Sequence, residues 1–191
     1  MTKLWKSAQV YFYELNPVLP LAPTVAPLSS PFPISLSTGE TINLALINIP
    51  ASTKPIGILL TAVVNWSATF TPPSTSTTLS TPGYADATFE LLRNGVIINR
   101  LTQTVVQKGT PLSTSLDFAI AVPTYELMAL SFVDLSLLLC HTNTYTLRVT
   151  NLALVDPVVA SGTATTTAQV GSISLVGRSF KPINKSVFST T

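Results

Sequence analysis

Prolines bracket most apolar runs in this chain, and that punctuation decides what it can fold into. Pro50 closes the segment from Ile34 to Ile49, Pro55 opens the run Ile56 to Phe70, Pro123 closes Thr114 to Val122, and Pro182 follows Gln169 to Phe180. A proline inside a helix removes a hydrogen bond and clashes with the preceding turn; inside a central strand it removes a ladder bond. Fifteen prolines therefore confine regular structure to the intervals between them. Those intervals carry β-branched and aromatic residues, often alternating with polar ones, and no amphipathic helix of useful length.

The strand signals run in series. Ile42-Asn43-Leu44-Ala45-Leu46 alternates in part, and Ile56 to Phe70 reads as one long buried strand whose exposed end alternates more clearly. Residues 71–83 read as a Thr/Ser/Pro-rich peripheral loop. Phe89 to Arg93 and Val96 to Arg100 flank Asn94-Gly95, and Asn-Gly between apolar runs marks a two-residue hairpin turn with positive φ at both centres. Glu126 to Cys140 fits either a buried strand or a turn-and-strand unit, and its period does not exclude a short helix. Thr144 to Asn151 alternates with Tyr145, Leu147 and Val149 inward, and Gln169 to Phe180 is the last strand. Eight to ten strands with frequent turn signals predict an all-β, antiparallel β-sandwich, jelly-roll-like in architecture.

The N-terminal part is organised differently. Ala8 to Leu15 reads as an apolar strand within an aromatic cluster of Trp5, Tyr11, Phe12 and Tyr13. Pro17, Pro20, Pro23, Pro27, Pro31 and Pro33 then predict an extended, semi-rigid tether. The expected organisation is an N-terminal arm over residues 1–33, a sandwich domain over 34–182 and a polar tail over 183–191. An isolated strand must find a sheet edge, so Trp5, Val10, Tyr11, Phe12 and Tyr13 are the candidate interface residues, docking in cis or on a neighbouring copy.

Charge excludes several classes of function. Charged residues make up 9% of the chain, and 10 Lys and Arg against 8 Asp and Glu leave a net charge of +2. That balance is too sparse for a charge-driven binder of nucleic acid or membrane surfaces. The polar fraction is instead 28 Thr and 20 Ser. A hydroxyl-rich surface with little self-repulsion suits a protein that packs against copies of itself. No apolar window reaches the length of a membrane span, and no secretory h-region stands near Lys3 and Lys6. Asn65-Trp66-Ser67 and Asn184-Lys185-Ser186 match the glycosylation sequon, which matters only on a secretory route.

Catalytic chemistry finds little purchase. One Cys and one His cannot build a zinc site, and one Cys cannot make an intrachain disulfide. Cys140-His141 pairs a nucleophile with a base, but neighbours in a strand point to opposite faces, and Cys140 is expected to be a small buried or interfacial hydrophobe. Glu14, Glu40, Asp86, Glu90, Asp117, Glu126, Asp134 and Asp156 show no paired spacing and read as turn or surface groups. Arg93, Arg100, Lys108, Arg148, Arg178 and Lys181 are scattered and read as solvated. The expectation is therefore no enzyme, no cofactor and no metal.

Four blocks in order carry a family resemblance: Gly57 to Val64, Ala87 to Gly95, Asn143 to Leu152, and Val170 to Leu175. Over roughly residues 56–180 the chain resembles the exosporium-protein-C-like group, jelly-roll spore-surface proteins of endospore-forming bacteria. It departs from that pattern at Cys140-His141-Thr142-Asn143, where the group has a Pro-Gly-like turn and a His just before the Tyr-Thr-Leu strand. The resemblance implies a structural subunit of the spore surface, its exosporium or an appendage, made in the mother cell without a signal peptide. The partners implied are the protein itself, as a homo-oligomer or filament, and other surface-layer proteins, with no nucleic acid and no membrane insertion. Two other readings stand beside it: a jelly-roll subunit of a viral capsid, viral appendage or archaeal surface filament, and a carbohydrate-binding module with Trp66, Tyr84 and Tyr125 as platforms.

Overall fold

A computed structural model describes residues 26–27, 33–50, 57–73, 79–107, 121–135 and 141–180. Every regular element among them is a strand: β1 (Ala26–Pro27), β2 (Ile34–Leu36), β3 (Ile42–Ile49), β4 (Gly57–Thr71), β5 (Leu79–Thr81), β6 (Tyr84–Arg93), β7 (Val96–Val106), β8 (Val122–Asp134), β9 (Asn143–Val155), β10 (Val158–Val159) and β11 (Thr165–Phe180). The protein is a β-sandwich. One sheet runs β1-β3-β9-β6-β7, the other β2-β11-β4-β8, and a small sheet pairs β10 with β5. All pairings are antiparallel.

The core lies between the two large sheets and is built from the inward positions of each strand. Leu44, Ile47, Ile58, Leu60, Val64, Trp66, Phe70, Phe89, Leu91, Met128, Tyr145, Leu147, Val149, Val170 and Leu175 are buried there. Trp66 of β4 meets Phe89 of β6 edge to face, with centroids 5.8 Å apart and planes inclined by 68°, the geometry that aligns a ring's positive edge with the other's negative face.

Bulges let long strands keep an apolar face inward while curving. On β9, Tyr145, Leu147 and Val149 point inward; Asn151 then adopts φ 50°, the register against β6 shifts between Asp86 and Thr88, and Leu152 becomes the next inward residue. The strand predicted to end at Asn151 thus continues to Val155. Gly39, at φ 76°, donates its N–H to the Leu152 carbonyl and closes the β2–β3 turn over this bulge. On β11 the shift falls between Val170 and Ser172.

Several expectations change. The stretch 71–83 contains β5, which pairs with β10 across the Thr81–Val158 register. The proline-rich tether contains β1, whose two residues pair with Leu46 and Ala45 at the outer edge of β3; an edge position spares Pro27 from donating to a ladder. Pro123 does not end a strand but is the second residue of β8, paired with Thr69. The tolerance has the same cause, because β8 is the last strand of its sheet. The segment from Glu126 is strand to Asp134. Residues 1–25, with the interface candidates Trp5, Val10, Tyr11, Phe12 and Tyr13, lie outside the described residues, as do Cys140, residues 108–120 and residues 181–191.

Candidate functional site

Two carboxylates read from sequence as surface groups are buried. Glu90 sits in the middle of β6 at 2% exposure, with Arg100 of β7 and Arg148 of β9 level with it on either side. Arg100 sends Nε and Nη2 to Oε1 at 2.8 and 2.6 Å, and Arg148 sends Nε and Nη2 to Oε2 at 2.7 Å each. Burial raises the carboxyl's pKa, but the hydrogen bonds and charges of Arg148 and Arg100 outweigh it and hold Glu90 below the usual carboxylate range. The sequence reading missed this because the three residues meet only through cross-strand register; the signal available was the placing of Glu90 and Arg100 on facing arms of the Asn94-Gly95 hairpin, with none for Arg148 on β9.

Asp134, 3% exposed at the end of β8, is the second. One guanidinium nitrogen of Arg93 on β6 lies 3.0 Å from each of its oxygens, and Tyr145 Oη of β9 donates to Oδ2 at 3.0 Å. Burial first, then the Asp134 charge and hydrogen bond, push the Tyr145 hydroxyl well above the ordinary tyrosine value. The cluster bolts one sheet to the other, since β6 and β9 belong to one and β8 to its partner. A second bolt is Gln103 of β7: its Oε1 accepts the buried Trp66 Nε1–H at 3.0 Å, and its Nε2 donates to the Leu127 carbonyl of β8 at 3.2 Å.

These groups are paired in ways that suit structure better than acid–base chemistry. A carboxylate held between two guanidinium groups is a poor proton acceptor. Arg93, Arg100 and Arg148, read as solvated, are instead the partners of buried acids. No group of three or more His, Cys, Asp or Glu that could hold a metal occurs among the described residues. His141 lies in a bend before β9, and Cys140 lies outside the described residues. Trp66 is 1% exposed and bonded to Gln103, so it cannot serve as a sugar platform.

Asn94 and Gly95 connect β6 to β7 with φ 49° and 83°. The Asn94 amide does more than turn the chain. Its Oδ1 accepts the Thr144 N–H at 2.8 Å and its Nδ2 donates to Asn143 Oδ1 at 3.1 Å, tying the hairpin tip to the start of β9.

The two outer faces of the sandwich differ. The β3-β9-β6-β7 face carries its own polar ladder: Thr104 to Asp86, Thr88 with Thr102, Glu90 with its arginines, Thr41 with Thr150, and Thr144 to Asn48. The outer face of β8 instead presents Tyr125, Leu127, Ala129, Ser131 and Val133, all exposed, with Tyr125 and Leu127 at 63% and 59%. Their neighbours on β4 are Ser67, Asn65, Val63, Thr61 and Leu59, so these ten positions carry no charge. No helix of the described residues is long and apolar enough to cross a membrane. Comparison with protein-family models, curated proteins and solved structures finds no match to this chain.

Proposed function

We propose that this chain is a non-enzymatic structural subunit that assembles with copies of itself into a surface layer or fibre, on the surface of bacterial endospores, and that its N-terminal arm docks on a neighbouring subunit. The observation that carries the reading is the uncharged outer face of β8 and β4, with Tyr125, Leu127 and Val133 exposed on it. Contiguous exposed apolar surface marks an interaction site in a soluble protein. The arginine-neutralised Glu90 and Asp134 support a structural role, because they cross-brace strands and sheets.

The strand order supports a jelly-roll reading. Taking β2, β3, β4, β6, β7, β8, β9 and β11 as first to eighth, one sheet runs first, eighth, third, sixth and the other second, seventh, fourth, fifth. Such an order arises when a long antiparallel ribbon folds over itself into two Greek keys. Light scattering and negative-stain microscopy of the full-length protein test the function: regular filaments, rings or sheets are expected, and a monomer at every concentration overturns it.

A further inference from the structure

Among the described strands, the two large sheets have four outer edges, and three are protected. β1 has two residues and contains Pro27, and β2 has three. β7 has a register shift against β6 and carries Arg100. β8 differs: it pairs with β4 in unbroken register over its full 13 residues, and no described strand lies on its other side. β8 carries Pro123 near one end, Glu126, and Asp134 at the other end, but no bulge and no charge among Tyr125, Leu127, Ala129, Ser131 and Val133; a long, flat edge strand of this kind is a template for another strand, and natural proteins block such edges unless they are used.

Backbone groups alternate sides along a strand. The Leu127 carbonyl turns away from β4 to accept from Gln103, so Tyr125, Ala129, Ser131 and Val133 present their N–H and C=O groups on that same side. Pro123 belongs to this set, where its missing N–H breaks no bond to β4. An arriving strand displaces one long, exposed contact from Gln103, at 3.2 Å.

Building on the self-assembly reading above, we infer that the β8 edge accepts residues 8–15 of a second copy as an added strand. That segment, Ala8-Gln9-Val10-Tyr11-Phe12-Tyr13-Glu14-Leu15, is long enough to pair along most of β8, and Val10 and Phe12 or Tyr11 and Tyr13 extend its apolar face. The attachment point favours a neighbour. The chain before Ala26 leaves from β1, at the far edge of its sheet from β7 and β8. From Leu15 to Ala26 the chain reaches about 34 Å at polyproline rise. Four strand spacings plus one sheet separation come to about 29 Å, which leaves only about 5 Å to pass over side chains in cis. Head-to-tail addition through one donor and one acceptor surface propagates.

Two full-length variants test this. Y125K with L127K places charges on the exposed face of the acceptor strand and leaves the arm intact; V10K with F12K spoils the arm and leaves β8 intact. With the wild type assembling, each variant alone is expected to weaken association at least about tenfold, the effect of one unfavourable lysine. Their mixture should form a heterodimer that grows no further, because one intact arm meets one intact edge. A129P, which removes a backbone donor from the free side of β8, should match the lysine variant while keeping the wild-type circular dichroism spectrum. Undiminished assembly of either β8 variant overturns the inference, as does a mixture that stays monomeric; dimers of the arm variant alone would mean that β8 pairs with β8. A monomeric wild type overturns the self-assembly reading itself.

Discussion

Glu90 illustrates how a single side chain in a charge-poor protein is held. Its carboxylate is buried, yet each oxygen receives two guanidinium nitrogens. The Arg148 side chain is 29% exposed and that of Arg100 55%, so solvent screens Arg100 more. Arg148→Ala is therefore expected to lower the melting temperature more than Arg100→Ala, by a loss on the order of 1–3 kcal/mol; equal shifts in thermal denaturation would contradict this. The acid limb follows from the same geometry. Glu90 keeps its proton off to lower pH in the folded state than in the unfolded chain. Its contribution is complete above the ordinary glutamate value of about 4.3 and fades as pH falls through the lower folded value. The gap in melting temperature between wild type and Glu90→Gln should stay constant from neutral pH to about 5 and close below about 4.

At the scale of elements, the β6–β7 hairpin was legible before any fold was known, because Asn-Gly serves a backbone that needs positive φ twice. A Cβ on Gly95 would meet nothing within 4 Å, so a substitution there is strained by φ alone. Gly95→Val is expected to cost roughly 1–2 kcal/mol, measured as a lowered denaturation midpoint with unchanged cooperativity; an unaltered midpoint would argue that the turn bears no strain. Gly57 works oppositely, since the Phe180 ring lies directly over it, its partner in register, and leaves no room for a side chain. The alternation of Tyr145, Leu147 and Val149 was equally legible. The continuation of β9 past Asn151 was not, because a bulge resets the period and makes the sequence look as though the strand has stopped.

For the whole molecule, the two sheets meet across a broad apolar core and are also tied by polar groups, among them Thr166 of β11, whose hydroxyl donates to the Val155 carbonyl of β9. Tyr145 and Arg93 reach Asp134 across that gap, and Gln103 joins Trp66 to Leu127. Tyr145→Phe leaves Asp134 one donor short and should cost about 1–3 kcal/mol at neutral pH. The hydroxyl's raised pKa sets an alkaline window as well. The stability it confers is complete below the ordinary tyrosine value near 10 and is lost as pH rises beyond it, because the unfolded chain ionises first. Urea unfolding between about pH 9 and 11 should show a steeper decline for the wild type than for Tyr145→Phe, and parallel declines would remove Tyr145 as the cause. The sequence by itself determined the β class, most strand positions, the hairpin and the sparse charge, because those follow from proline sterics, β-branching, Asn-Gly backbone preference and composition, all local. Only the tertiary structure decided which strand is the exposed edge, where the bulges fall, and that Glu90 and Asp134 are buried beside arginines 10 to 58 residues away in the chain. Those outcomes depend on cross-strand register, which brings distant residues level and leaves no local trace.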